Sequence, residues 1–398
     1  MAKKITVGID IGTYQVKVVV AEEDKLSETG LPRVIGSGLV ESKGLRHGYI
    51  INYDDVAKSL KKALAQAEKT SGIRIRQSYL AVGGIGLSSI VSHGQIAISK
   101  ADSEITQLDI NNAIDNAREI LPKNFIQNKQ ILHTIPIAFK IDNKLVFGQP
   151  LGMHGDKLEV KVMFVACTEH HIQDIVQAVE ECGVNVTNII ASPLAGSLVA
   201  TNKTQRIAGC VLANIGSETV SVIIFENNVP ISLEVFPIGG TDITNDIALG
   251  LKIPLEEAEC IKLKQSTGDY AYPRKKLEEI VFARLSDIFE LIEAHLKKNG
   301  RSGLLPAGII LTGGTSGIAT IEEMAKASLK LPSSIASLNL ETSQIKNGIV
   351  KDSSWLVAYG LCLFGLSSAN DLPFFGIKEP KTNNPFEKLF TLFKKILP

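Results

Sequence analysis

The sequence predicts an α/β protein made of two copies of one domain, with a ligand-binding cleft between the copies. Three observations predict this fold class. A glycine turn between two strand-like runs occurs at residues 10–17 and again, in the same register, at residues 214–221. A third glycine turn follows a short apolar run that ends at residue 311. Residues 85–160 mix strand-like and helix-like segments differently, which indicates an α+β insertion into the first copy.

The first turn joins an alternating apolar run to a β-branched run, so it is predicted to connect two strands. Gly12 lets a ligand approach the backbone closely, and its amide can point at an anion. Asp10 suits the hydration shell of Mg²⁺, which it would reach through water. Lys17 returns on the second strand as a point charge for a phosphate. Taken alone, this turn is also explained by a plain hairpin at the start of an α/β domain.

The second turn strengthens the prediction, because residues 214–224 align without a gap on residues 10–20. Asn214 replaces the acid, Ser217 replaces the threonine, and the apolar alternation is kept. Two copies in one register indicate a duplicated domain whose paired loops face one ligand. The third turn, at Gly313 and Gly314, has amides that can lie against a phosphate or a base edge without obstruction by a side chain.

These segments resemble the first phosphate, second phosphate and adenosine motifs of the superfamily that contains actin, sugar kinases and heat-shock-chaperone ATPases. Within it, the chain is most similar to the FtsA family of bacterial actin-like cell-division proteins. The similarity extends over nearly the whole chain and includes residues 192–195, 238–240, 258–262 and 358–360. It implies a duplicated actin-like (ribonuclease-H-like) ATPase fold with ATP and Mg²⁺ in the cleft.

The resemblance also implies a set of nucleotide-binding positions, with Asp10 reaching the metal through water and Asn214 as a weaker metal candidate. The implied positions are Asp10, Gly12, Thr13, Tyr14, Lys17, Asn214, Gly216, Ser217, Glu218, Thr219, Gly239, Gly240, Glu259, Lys262, Gly313, Gly314 and Thr315. For Glu259 and Lys262, the alternative is an exposed ion pair between residues three apart on a helix.

The second phosphate turn departs from the family pattern, which has an Asp followed by small, glycine-like positions. Asn214 can orient a water but brings no charge to Mg²⁺. Glu218 places a carboxylate near the phosphates unless it turns away or reaches the metal. We therefore expect ATP binding with slow or absent hydrolysis.

The predicted domain boundaries follow from these motifs and from changes in the pattern of strand-like, helix-like and polar segments along the chain. The segments are 1–84 with 161–206 for the first domain, 85–160 for the inserted subdomain, 207–366 for the second domain with an upper part near 242–304, 367–384 for a linker, and 385–398 for a terminal helix.

The terminal helix is predicted to be amphipathic, with Pro385 in its first turn and Asn384 as its cap. Its apolar residues fall on one stripe, and they are Phe386, Leu389, Phe390, Phe393, Ile396 and Leu397. Lys394 and Lys395 lie beside the stripe, where they can meet anionic headgroups. A helix this short cannot span a bilayer, so it is predicted to lie in the membrane interface. The alternative is that the stripe docks on the protein's own body.

Composition limits the remaining possibilities. The 42 basic and 42 acidic residues cancel, which argues against a general nucleic-acid binder. The five cysteines have no CxxC spacing and are predicted to be buried, reduced thiols. The chain starts almost directly in a strand, which predicts no signal peptide, and no apolar run reaches the roughly 18 residues of a membrane span.

The resemblance implies a peripheral protein on the cytoplasmic face of the cell membrane at the division septum. Such a protein holds the tubulin-like protein FtsZ there, forms filaments with itself and helps to recruit later division proteins. Arg284, Lys297 and Arg301, with Lys298, are predicted to give the upper second domain a basic side for the acidic FtsZ tail. The alternative for these residues is a solvated helix face. Two other functions remain open at this stage: a pilus-assembly actin-like ATPase and a small-molecule kinase. A kinase would need a catalytic Asp in the cleft, and no candidate beyond Asp10 is found. Neither class of protein is expected to carry the terminal amphipathic helix.

Overall fold

The computed structural model describes residues 4–24, 31–99, 102–264, 273–337 and 352–367. Among the helices in these ranges, none combines the length and the apolar character that crossing a membrane requires. The linker from residue 368 onward and the predicted terminal helix lie outside the described residues.

The first domain begins with the predicted hairpin. Its opening elements are β1 (Ile5–Ile11), β2 (Gln15–Glu22), β3 (Arg33–Glu41), the short strands β4 (Leu45–Arg46) and β5 (Tyr49–Ile50), helix α1 (Tyr53–Ser71) and β6 (Gln77–Val82). Helix α1 begins where the Asn52 side chain accepts the amide hydrogen of Asp55, which caps its first turn. It ends at Gly72, whose left-handed conformation (φ 73°) closes the last turn.

The inserted subdomain is a second sheet covered by a helix. Its elements are β7 (Ser88–Ala97), α2 (Gln107–Glu119), α3 (Lys123–Ile126), β8 (Lys129–Ile141), β9 (Lys144–Val146) and β10 (Lys157–Thr168). The strand order is β7-β10-β8-β9. Strand β10 pairs with β7 and β8 as far as Ala166 and Thr168, so the sheet extends past the boundary expected at residue 160. Along β10, burial alternates up to Lys161 and is continuous from Val162 to Cys167. The second part of the strand therefore has the burial pattern of a core strand, although it pairs within the inserted sheet.

The chain then returns to the first domain through α4 (Glu169–Glu180), β11 (Asn185–Ala191), α5 (Ser192–Ala200) and α6 (Lys203–Ala208). Helix α6 crosses the boundary expected at residue 207, and the second domain starts with β12 at Cys210. The completed first sheet has the order β11-β6-β1-β2-β3.

The second domain repeats this design. Its elements are β12 (Cys210–Ile215), β13 (Val220–Glu226), β14 (Val229–Phe236), α7 (Gly240–Leu251), α8 (Leu255–Lys264), α9 (Arg274–Lys298), β15 (Ile309–Thr312), α10 (Ile321–Leu329), β16 (Ser333–Ile335) and α11 (Leu356–Leu366). Its strand order, β14-β13-β12-β15-β16, matches that of the first sheet read from β3 to β11. In both sheets the first hairpin is antiparallel and the next two neighbours are parallel. This equivalence confirms the predicted duplication.

Helix α11 is buried, as its apolar sequence indicates, and begins after a single 3₁₀ turn at Ser353–Trp355. It packs mainly against α5, β1, β2 and β6 of the first domain. A Cβ atom on Gly360 would lie 1.9 Å from the carbonyl oxygen of Ala195, and one on Gly8 would lie 2.2 Å from that of Ala358. Backbones this close tolerate only glycine. One apolar core therefore joins α11 to residues of both domains and of the inserted subdomain, including Leu194, Leu233 and Met163.

Candidate nucleotide site

The two phosphate-like turns have the same local geometry. The amide of Gly12 donates to the carbonyl oxygen of Gln15 at 3.1 Å, and the amide of Gly216 donates to that of Thr219 at 2.9 Å. A Cβ atom on either glycine would lie 3.0 Å from that same oxygen. The gapless alignment of the sequence therefore corresponds to equivalent turns at the ends of equivalent hairpins.

Asp10 and Lys17 lie opposite each other on β1 and β2. Burial raises the pKa of Asp10, and the positive charge of Lys17 opposes that rise. Burial lowers the pKa of Lys17, and the carboxylates of Asp10 and Asp352 oppose that fall. Lys17 is only 8% exposed, so a phosphate beside it would gain a cation that is already desolvated. Asp352, just before the 3₁₀ turn that precedes α11, is a residue that the sequence analysis missed.

Three turns of the second domain meet at Gly216. Its carbonyl oxygen accepts hydrogen bonds from the amide of Gly240 at 2.9 Å and from the Thr315 hydroxyl at 3.0 Å. A Cβ atom on Gly239 would lie 2.5 Å from the carbonyl oxygen of Ser217. The structure thus brings the second phosphate turn, the 239–240 turn and the 313–315 turn into one place, although they are far apart in sequence.

The side chain of Asn214 lies close against the third turn. A Cβ atom on Gly313 would lie 2.4 Å from Oδ1 of Asn214 and 2.4 Å from the carbonyl oxygen of Ile215. Gly313 also has φ of 90°, a conformation that L side chains rarely adopt. Glycine is therefore required at 313 for two separate reasons, while a Cβ atom on Gly314 would meet nothing within 4 Å.

Glu259 and Lys262 form an ion pair at 2.7 Å, but it is not the exposed pair that their spacing allows. The Lys262 side chain is 10% exposed. Its Nζ donates to the carbonyl oxygen of Gly240 at 3.0 Å and to the Thr244 hydroxyl at 2.9 Å, and that hydroxyl donates to Glu259. Lys262 thereby joins α8 to the turn at the site. Thr244 was missed by the sequence analysis; the available signal was a hydroxyl one turn after Gly240 on the buried face of α7.

Glu218 turns away from the second phosphate turn toward the first domain. Its carboxylate accepts the amide hydrogen of His47, and Nδ1 of His47 lies 3.1 Å from the Glu218 carbonyl oxygen. Of the alternatives expected for Glu218, the structure therefore shows the one in which its carboxylate turns away from the phosphate turn. His47 carried no recognisable signal in the sequence, because it lies in a short polar loop 171 residues away.

The basic residues predicted for a partner all have acidic neighbours within the chain. Arg284 binds Asp246 at 2.7 Å and Asp287 at 3.2 Å. Lys297 lies 3.5 Å from Glu293, and Arg301 lies 2.7 Å from Glu226. Each of these three residues therefore already has an acidic neighbour, and their role in binding a partner stays a prediction. The same region exposes two large apolar side chains, Leu249 at 80% and Phe282 at 60%.

Tyr14 lies in the first phosphate turn, but its side chain is 51% exposed. Its carbonyl oxygen accepts the amide hydrogen of Ser42 at 2.8 Å. The membrane residues lie outside the described residues; they are Phe386, Leu389, Phe390, Phe393, Lys394, Lys395, Ile396 and Leu397.

Solved structures share this architecture. The PilM-PilN type IV pilus biogenesis complex matches with a TM-score of 0.69 at 17% identity, over 91% of this chain and 99% of that chain. MreB5 of Spiroplasma citri bound to ADP matches with a TM-score of 0.52 at 13% identity, over 91% of this chain and 96% of that chain. At these identities the likeness shows the fold alone, and it confirms a duplicated actin-like fold.

Sequence comparisons are more specific. A family model described as "SHS2 domain inserted in FTSA" matches residues 84–166, and one described as "Cell division protein FtsA" matches residues 211–360. The cell division protein FtsA of Pseudomonas aeruginosa is 32% identical over 382 residues, covering 90% of this chain and 89% of the relative. That of Bacillus subtilis is 28% identical and covers 92% of this chain and 84% of the relative. With an actin-like fold, an inserted subdomain of the matching kind and this identity over most of its length, the chain belongs to the FtsA family of cell-division proteins.

Proposed function

We propose that this protein binds ATP in the cleft and tethers FtsZ to the cytoplasmic face of the membrane at the division septum, where it forms filaments and helps to recruit later division proteins. The observation that supports nucleotide binding is the meeting of three turns at Gly216, together with the equivalent local geometry of the turn at Gly12. Turns that expose backbone amides next to a desolvated lysine are suited to phosphates.

The residues present fit ATP with Mg²⁺. Because the amides of Gly12 and Gly216 close their own turns, the amides that follow them, at Thr13 and Ser217, and the charge of Lys17 would hold the phosphates. Lys262 and the 313–315 turn would lie toward the adenosine. Asp10 would hold Mg²⁺ through water, and Asn214 would contribute an oxygen without a charge. Bound Mg²⁺ would neutralise phosphate charge. The missing charge at 214 weakens the hold on Mg²⁺ and disfavours rapid hydrolysis.

The upper second domain is the proposed docking face for the FtsZ tail. Since Arg284 and Arg301 already have acidic partners at 2.7 Å, we propose that exposed apolar residues such as Leu249 and Phe282 supply much of the contact. Partner anchors are commonly apolar side chains surrounded by polar ones. Leu249→Ala should weaken binding of an FtsZ tail peptide more than Lys297→Ala, as measured by fluorescence anisotropy. The reverse order would restore the charge-based proposal.

The membrane part rests on the terminal sequence. Six apolar side chains, each gaining about half of a full burial of ~2 kcal/mol, contribute roughly 6 kcal/mol. Folding such a short helix is itself marginal and offsets part of that gain. A single tail should therefore bind weakly, and stable attachment should need several tails presented by one filament. Head-to-tail contacts between identical subunits produce open filaments of this kind.

The deciding experiment is co-sedimentation of full-length protein, ATP and labelled FtsZ with anionic vesicles. FtsZ should pellet only when the protein is present. Phe390→Glu should abolish pelleting, because it puts a charge on the apolar stripe. Thr391→Glu is the matched control, because it adds the same charge one residue away and off the stripe. If Phe390→Glu protein carries FtsZ down as well as wild type does, the anchor is elsewhere and the proposal fails.

A further inference from the structure

The contact between Glu218 and His47 spans the cleft, since Glu218 belongs to the second phosphate turn and His47 to the first domain. Two bonds hold it: the carboxylate accepts the His47 amide hydrogen, and Nδ1 of His47 lies 3.1 Å from the Glu218 carbonyl oxygen. Gly239 packs closely against the backbone of Glu218: a Cβ atom added to Gly239 would lie only 2.8 Å from the Glu218 amide nitrogen. The turn therefore presents Glu218 to the first domain in a fixed orientation.

His47 itself has a left-handed backbone, with φ of 49°. For a residue other than glycine this conformation is uncommon and costs roughly 1 kcal/mol, so it persists where the surroundings impose it. Hydrogen bonds to Glu218 on one side, and to Ile85 on the other, supply that constraint.

The loop that carries His47, residues 44–50, is the clasp loop, and it touches both connections to the inserted subdomain. At the entry, the carbonyl oxygen of His47 accepts the amide hydrogen of Ile85 at 3.3 Å, and a Cβ atom on Gly48 would lie 2.6 Å from Cα of Gly84. At the exit, the Tyr49 hydroxyl lies 3.1 Å from that of Thr168. The Tyr49 ring also packs 4.4 Å, centroid to centroid, from His171 at the start of α4.

We propose that Glu218 is a positioning residue that latches the second phosphate turn to the clasp loop and, through it, to the root of the inserted subdomain at residues 83–87. A nucleotide that orders the second phosphate turn would then also order that root. This coupling rests on the proposed nucleotide binding, but the latch itself belongs to the protein without nucleotide. Glu218 thus acts across the cleft and not as a ligand of the phosphates.

The test is hydrogen exchange of the full-length protein without nucleotide, read at residues 44–50 and 83–87. Glu218→Ala should raise exchange there about tenfold, since it removes a charge-assisted hydrogen bond. Glu218→Gln should keep exchange within about twofold of wild type, because its amide oxygen still accepts the His47 hydrogen. Glu323→Ala, an exposed acidic residue on α10, is the matched control and should change nothing at either segment. Unchanged exchange in Glu218→Ala would overturn the latch.

A second arm adds ATP with Mg²⁺ and tests the coupling. In wild type, nucleotide should slow exchange at 216–219 and also at 83–87. In Glu218→Ala it should slow exchange at 216–219 only, which a purely structural role would not produce. If wild type shows no slowing at 216–219, nucleotide binding fails, while the first arm still decides the latch. If Glu218→Ala is misfolded by circular dichroism, Glu218→Asp replaces it, since its shorter side chain cannot span the same distance; protection equal to wild type in that variant would overturn the proposal.

Discussion

Lys17 lies directly across the β1–β2 hairpin from Asp10; Lys17 is 8% exposed and Asp10 is half-buried. Each of the two opposite charges favours the ionised form of the other at the first phosphate turn. Removing one partner leaves the other buried and unpaired, which is far more costly than removing both.

Lys17→Met should therefore lower the free energy of unfolding by about 3 kcal/mol and weaken ATP binding at least tenfold. The double variant Asp10→Asn/Lys17→Met should recover most of the stability but not the ATP affinity. Denaturant unfolding and titration calorimetry measure the two quantities separately. ATP affinity that recovers together with stability would show that Lys17 acts only in folding.

Gly313 and Gly314 offer a matched comparison in one turn. Gly313→Ala should lower the free energy of unfolding by about 2–4 kcal/mol, because the residue has positive φ and its Cβ would overlap Asn214 and the Ile215 carbonyl oxygen. Gly314→Ala should change it by less than about 0.5 kcal/mol, since its Cβ meets nothing within 4 Å. A loss of ATP affinity in the well-folded Gly314→Ala protein would place the nucleotide against that face, and equal stabilities of the two variants would contradict the geometry.

Asn214→Asp should restore the charge that the second phosphate turn lacks. One added unit charge about 5 Å from a divalent ion gains on the order of 1–2 kcal/mol in a wet site, so the Mg²⁺ concentration at half-saturation should fall roughly tenfold. Phosphate release should rise as well. A Mg²⁺ titration of ATP binding checks the first effect, and a variant with wild-type Mg²⁺ dependence would remove residue 214 from the metal site.

Two buried histidines predict a specific dependence of stability on pH. Burial lowers the pKa of His133 to about 4, and burial together with the charge of Lys298 lowers that of His295 to about 4. The unfolded chain binds these protons near pH 6.5 and the folded chain does not, so stability is complete above that pH and is lost as the pH falls toward 4. Each histidine contributes a slope of about 1.4 kcal/mol per pH unit.

His295→Gln removes one of these titrations while keeping a polar group beside the Ser232 hydroxyl, which lies 3.0 Å from Nε2 of His295. Denaturant unfolding at several pH values between about 6 and 5 should therefore show a slope up to about 1.4 kcal/mol per pH unit shallower in the variant than in wild type, with little difference above pH 7. Identical slopes would show that His295 is protonated in the folded protein.

What the sequence by itself determined was local or periodic. The gapless match between residues 10–20 and 214–224 was enough to predict both hairpins, and the turn hydrogen bonds of Gly12 and Gly216 prove equivalent. Such features depend on side-chain period and turn chemistry, which are written in consecutive positions.

Only the tertiary structure determined which groups the charged side chains pair with. Glu218 reaches His47 across 171 positions, Arg301 reaches Glu226 across 75, and Arg284 reaches Asp246 across 38. No local pattern specifies these partners, because each exists only after separate elements have packed. The sheet that β10 joins is likewise decided by tertiary pairing, because its buried half would suit either sheet and only its hydrogen bonds to β7 and β8 assign it.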